Sequence, residues 1–155
     1  MRKILAVLML VCALGLFAQI PAGTKSVAVL SGSTSDFLAE EADFGFGVDV
    51  VGGYFIMDGL EIDAILGLYK WGDMEFALGL GAIYHMPFSP TLGGYLGAAF
   101  TYETATEAMA VPINVGVELF LTPNNAVRLG GQFTLNLEEG ADNNLNVVLG
   151  TVHYF

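Results

Sequence analysis

From Thr24 onward, apolar residues recur at every second position in successive runs, and each run ends in a cluster of turn-forming residues. A period of two is that of a β-strand, whose side chains alternate between faces; a helix would repeat near 3.6. The pattern predicts eight strands, at Thr24–Ser31, Phe44–Phe55, Leu60–Tyr69, Met74–His85, Thr91–Glu103, Met109–Phe120, Asn125–Leu137 and Asn144–Phe155.

The connections fall into two kinds. Met57-Asp58-Gly59, Met86-Pro87-Phe88-Ser89-Pro90 and Thr122-Pro123-Asn124 carry tight-turn chemistry, in which Pro and Gly supply the backbone angles a reversal needs. They alternate with more polar links at Gly32–Asp43, Trp71–Asp73, Thr104–Ala108 and Glu138–Asn143. Tight turns at one end and acidic loops at the other match a membrane β-barrel whose turns and termini face the periplasm.

Alternation sorts the residues into two faces. One carries no charge and includes Ile62, Leu66, Phe76, Leu78, Leu80, Phe100, Val115, Leu129 and Leu149. The other carries Asp49, Glu61, Asp63, Glu75, Tyr95, Asn114, Glu118, Arg128, Gln132, Thr134, Asn136 and Asn146, interleaved with glycines such as Gly79, Gly81, Gly116 and Gly130. A soluble barrel would also alternate, so alternation leaves the inward face undecided. The glycines decide it, because the crowded interior of an eight-stranded barrel needs small residues beside large ones. The apolar face is then expected to meet lipid, with aromatic girdles at its ends: Phe44, Phe46, Phe100, Tyr102 and Phe133 outward, Tyr54, Tyr84 and Phe155 toward the periplasm.

Composition supports that orientation. Charged residues make up 14% of the 155-residue chain and hydrophobic ones 54%, too little charge for an ordinary wetted surface. Before the first strand, Arg2 and Lys3 precede the apolar run Ile4–Ala18 and then Gln19, the layout of a secretory signal peptide. The run is shorter than the roughly 20 residues of a spanning helix. Residues 1–18 are thus expected to be a signal peptide and 19–155 the barrel domain, with a cut after Gly15 as the other option. The single cysteine, Cys12, lies within the signal segment. Beyond that segment three basic residues, Lys25, Lys70 and Arg128, face sixteen acidic ones, a net charge of −13; nucleic acid is excluded as a partner.

The signal peptide, the eight strands, the segment Gly52-Gly53-Tyr54-Phe55-Ile56-Met57-Asp58-Gly59-Leu60 and the last strand ending in Phe155 together resemble the small outer-membrane β-barrel family of the OmpA/OmpX type. The resemblance implies an all-β, eight-stranded antiparallel up-and-down transmembrane β-barrel. It also implies that Val147, Leu149, Thr151, His153 and Phe155 form the signal read by the barrel-insertion machinery. His153 departs from the aromatic or aliphatic residue usual there.

Chemistry is sparse. Glu118 and Arg128 flank the Thr122-Pro123-Asn124 turn symmetrically on the same face, which predicts an ion pair across the hairpin with Tyr154 as a third member. Asp49, Glu61, Asp63, Glu75 and Gln132 complete the expected polar network of the lumen. A filled lumen offers no cleft for paired-carboxylate hydrolysis. His85 and His153 map to the periplasmic end, where both are expected as interfacial polar residues, and no Ser-His-Asp set is evident. No catalytic, cofactor or metal-ligating residues are therefore assigned. Asp36, Glu40, Glu41 and Asp43 in the first loop, with Glu138, Glu139 and Asp142 in the last, are candidate holders of divalent cations.

The expected protein is non-enzymatic and integral to a bacterial outer membrane, with a structural or surface-interacting role and no wide pore. Its partners would be outer-membrane lipid and the insertion machinery. The alternative is a soluble periplasmic β-barrel with its faces inverted, binding a lipid or other apolar ligand between its large aliphatics.

Overall fold

The computed structural model describes residues 20–34, 45–70, 74–104, 107–138 and 143–155. The expected signal peptide at 1–18, the loop acids Asp36, Glu40, Glu41, Asp43, Glu139 and Asp142, and Phe44 lie outside them.

Eight antiparallel strands close on themselves in sequence order: β1 (Lys25–Thr34), β2 (Gly45–Met57), β3 (Leu60–Lys70), β4 (Met74–Pro87), β5 (Leu92–Glu103), β6 (Met109–Thr122), β7 (Asn125–Asn136) and β8 (Asn144–Tyr154). β1 pairs with β8 from Ser26↔Tyr154 to Ser33↔Val147, so no strand edge is left open. Closure pairs the strands' backbone groups with one another without water, apart from a gap beside Pro112, and such pairing is the condition for standing in hydrocarbon.

The reversals follow the turn residues. Asp58 and Gly59 link β2 to β3, with Gly59 at φ 74°, and a bulge lies between Phe55 and Met57. Pro123 and Asn124 link β6 to β7 beside a bulge between Phe120 and Thr122. β1 extends beyond its expected end at Ser31, because Gly32, Ser33 and Thr34 continue the ladder onto Gly47, Phe46 and Gly45. Pro112 lacks an amide proton, and the β5–β6 ladder breaks beside it, between Ala98↔Ile113 and Thr101↔Ala110.

The apolar face is outside. Ile62, Leu66, Leu78 and Leu80 are 40%, 45%, 54% and 69% exposed, whereas Glu61 and Asp63 are 1% and 2% exposed. The inverted arrangement, with aliphatics lining an internal ligand pocket, is not the one observed. Phe100 and Phe133 are exposed on the outer face, as are Tyr54 and Phe155, while Tyr84 and Tyr102 are half-buried.

Inside, close packing around glycines sets the cross-section. A Cβ on Gly116 or Gly130 would run into the Tyr95 hydroxyl and the facing backbone carbonyls of Leu129 and Val115. Tyr95 lies flat over β6 and β7 because those two paired positions are empty of side chains. Ala28, Val51, Phe55, Val152 and Tyr154 form an apolar cluster along one side of the lumen, with Leu30, Ile65 and Phe120 against it.

Candidate functional site

A cluster of ionisable side chains crosses the lumen beside that apolar cluster. Glu118 and Arg128 are direct partners in the β6–β7 register. Arg128 Nε and Nη2 donate to Glu118 Oε1 at 2.9 and 2.7 Å, and the Tyr154 hydroxyl donates to the same oxygen at 2.9 Å. Arg128 lies over the Tyr95 ring, 4.8 Å from its centre, and its Nη2 stands 4.0 Å from Glu61 Oε2. Arg128 and Glu118 are 2% and 1% exposed, so each depends on the other for its charge to be tolerated.

His85 occupies the middle of this cluster, not the interface expected from its place in the sequence. Its Nδ1 is 3.0 Å from Glu118 Oε2 and its Nε2 is 2.8 Å from Glu61 Oε2. The reason is parity: Glu75, Gly79, Gly81 and Ile83 all point inward along β4, and His85 continues the same alternation. Phe55 and Tyr154 hold the ring, at 5.0 and 6.4 Å between centroids. Two ring nitrogens that both face carboxylate oxygens need two protons between them; the cluster contains either an imidazolium or one protonated carboxyl. The Ser26 hydroxyl donates to Glu61 Oε1 and ends the chain of contacts on β1.

Glu61, Glu118, Arg128 and Tyr154 thus meet in one cluster, joined by His85 and Ser26. Asp63 lies beside it, buried, and its Oδ1 has no hydrogen-bond partner in the protein. That residue lines a cavity of about 50 Å³ together with Asn114, Arg128 and Gln132. Asp49 belongs to a separate pair nearer the loop end, where the Tyr69 hydroxyl donates to its Oδ1 at 2.6 Å. Asp49, Tyr69 and Gln132 also line a second cavity, of about 90 Å³, into which Asn146 faces. Glu75 stands opposite Tyr69 in the β3–β4 register and lines neither cavity. The lumen is therefore polar and roomy toward the loops and sealed by ion pairs and aromatic rings toward the turns.

On the last strand, Val147, Leu149, Thr151, His153 and Phe155 all point outward and are exposed. The His153 ring stacks on Phe155 at 5.8 Å, and its Nδ1 meets Asn125 Oδ1 at 2.8 Å. Among the described residues no three His, Cys, Asp or Glu side chains are grouped to hold a metal ion.

No family model matches the sequence. A 52-residue stretch, 34% of the chain, is 40% identical to the 33 kDa chaperonin of Levilactobacillus brevis, but it spans only 17% of that protein. Solved structures give a broader likeness. A de novo designed transmembrane β-barrel has a TM-score of 0.68 at 20% identity, covering 86% of this chain and 97% of the design. The N-terminal β-barrel domain of Pseudomonas aeruginosa OprF also scores 0.68, at 18% identity over 86% of this chain and 98% of that domain. Ail, the attachment invasion locus protein of Yersinia pestis, scores 0.57 at 12% identity, covering 86% and 99%. With its closed antiparallel ladder, uncharged outer band and ion-paired lumen, the chain has the fold of the small eight-stranded outer-membrane β-barrels.

Proposed function

We propose that the chain is an integral, non-enzymatic barrel of a bacterial outer membrane, exported by residues 1–18, that serves as a structural or surface-interacting element and not as an open pore. The carrying observation is the pairing of an exposed, uncharged apolar band with a lumen blocked by the Glu61–His85–Glu118–Arg128 cluster. A wide aqueous channel needs about sixteen strands, and eight enclose a lumen that side chains fill.

Outer-membrane lipid is the main partner in this reading. The insertion machinery would engage Val147, Leu149, Thr151, His153 and Phe155 on the exposed face of β8. The acidic loops, with Glu138 among them, would hold divalent cations at the cell surface. Against a catalytic role, His85 is enclosed by two carboxylates and two aromatic rings at the turn end.

Membrane fractionation with gel mobility tests the proposal. The protein should resist extraction by alkaline carbonate, and its unboiled band should move differently from its boiled band. Recovery in the aqueous fraction without detergent, or large stable conductance steps in planar bilayers, would overturn it.

A further inference from the structure

The residues ahead of β1 are folded into the mouth of the barrel at the turn end. Ile20 is 6% exposed and packs in the apolar cluster with Phe55, Val152 and Tyr154. Four hydrogen bonds hold its segment: Gly59 N donates to the Ile20 carbonyl at 3.1 Å, Ala22 N to Asp58 Oδ1 at 2.8 Å, Gly23 N to the Phe55 carbonyl at 2.8 Å, and Phe55 N to the Thr24 carbonyl at 2.9 Å. Gly23 turns the chain at φ 87°, a conformation that side chains disfavour. A Cβ there would meet nothing within 4 Å, so backbone angle alone requires glycine at this position.

Ile20 is a partition. On its inner side it lines, with His85, Glu118 and Phe120, a space of about 10 Å³ directly below the ion cluster. On its outer side it lines an open groove of about 410 Å³ with Thr91, Leu121 and Pro123. One side chain and four hydrogen bonds hold the segment, against a full ladder on each strand, so it can release without unfolding the barrel.

We propose that Ile20–Thr24 is a hinged plug: Ile20 seals the turn end of the lumen against water and small ions, and Gly23 is its hinge. When the plug is released, His85 and Glu118 face the aqueous phase. This goes beyond the proposed function and rests only on the closed barrel.

Thiol accessibility tests it. In the full chain carrying Cys12→Ser, Gly93→Cys puts a thiol on the inner face of β5 opposite Glu118, where the nearest atoms to its Cβ are the Met86 carbonyl and the Phe120 ring, both at 3.4 Å, and Glu118 Oε2 at 4.0 Å. The refolded protein is treated with a charged methanethiosulfonate reagent. Labelling should be slow in this parent and at least about tenfold faster with Ile20→Ser, which forfeits burial of the plug, and with Gly23→Val, which keeps Ile20 but strains the hinge. Leu121→Ser, which alters only the outer groove, should label like the parent. Equal labelling of parent and Ile20→Ser, in protein that still shows a heat-shifted band, would overturn the plug and leave the membrane reading untouched. Parent-like labelling of Gly23→Val would overturn the hinge.

Discussion

Replacing Arg128 with Met keeps much of the side chain's length and removes its charge and donors. Glu118 Oε1 then loses the bonds at 2.9 and 2.7 Å and keeps only the Tyr154 hydroxyl, at 1% residue exposure. Breaking a buried pair by removing one partner costs about 3–5 kcal/mol, because the survivor stays buried, here with only the Tyr154 hydroxyl and His85 Nδ1, 3.0 Å from its Oε2, against it. Loss of the guanidinium over the Tyr95 ring overlaps with that cost and adds part of roughly 0.5–2 kcal/mol. The expected destabilisation is about 4 kcal/mol. Glu118→Gln is also destabilising, since Arg128 is left with Glu61 at 4.0 Å and His85 loses a carboxylate. The double variant removes both charges, so its cost should fall short of the two single costs together by about 1–3 kcal/mol. Equilibrium urea unfolding in lipid vesicles, followed by the fraction of folded band, measures all four proteins. A cost below about 1 kcal/mol for Arg128→Met, or strict additivity in the cycle, would refute the reasoning.

Three further outcomes are expected. Tyr154→Phe deletes a donor to a buried carboxylate at 2.9 Å and should cost about 1.5–3 kcal/mol in the same unfolding assay. Gly130→Val drives a side chain into the Tyr95 hydroxyl and should cost about 1–3 kcal/mol, with partial recovery when combined with Tyr95→Phe. Leu66→Arg, on the exposed outer face near the middle of β3, should lower stability in bilayers by about 2–4 kcal/mol; a soluble barrel would hardly register that change.

Much of the barrel could be read from the chain because a period of two is unforgiving: a slip of one residue would turn Glu61 and Asp63 outward and Ile62 and Leu66 inward. The same parity argument, applied to the ends of strands, would have found the members of the site that were missed. His85 shares the phase of Gly81 and Ile83, Tyr69 that of Glu61 and Asp63, and Ser26 that of Ala28. Its height along the barrel points to an interfacial place for His85, but height says nothing about face. The Glu118–Arg128 contact was legible because a tight turn fixes the register of its own hairpin. Contacts between strands that are not neighbours, such as His85 with Glu118 and Ser26 with Glu61, depend on how the closed barrel staggers its strands, which no single hairpin encodes. Ile20 is illegible for another reason: it precedes the first strand, and it is buried by Phe55, Val152 and Tyr154 and anchored by the Asp58-Gly59 turn, all distant in sequence.

The claim on which everything rests is that hydrocarbon covers the apolar face, and fluorescence quenching reads it directly. In a Trp71→Phe background, Leu80→Trp puts the only indole on a position 69% exposed on the outer face. In vesicles whose acyl chains carry bromine, that indole should be strongly quenched and should ignore iodide in the buffer. Quenching by iodide with no response to the brominated lipid would contradict the account.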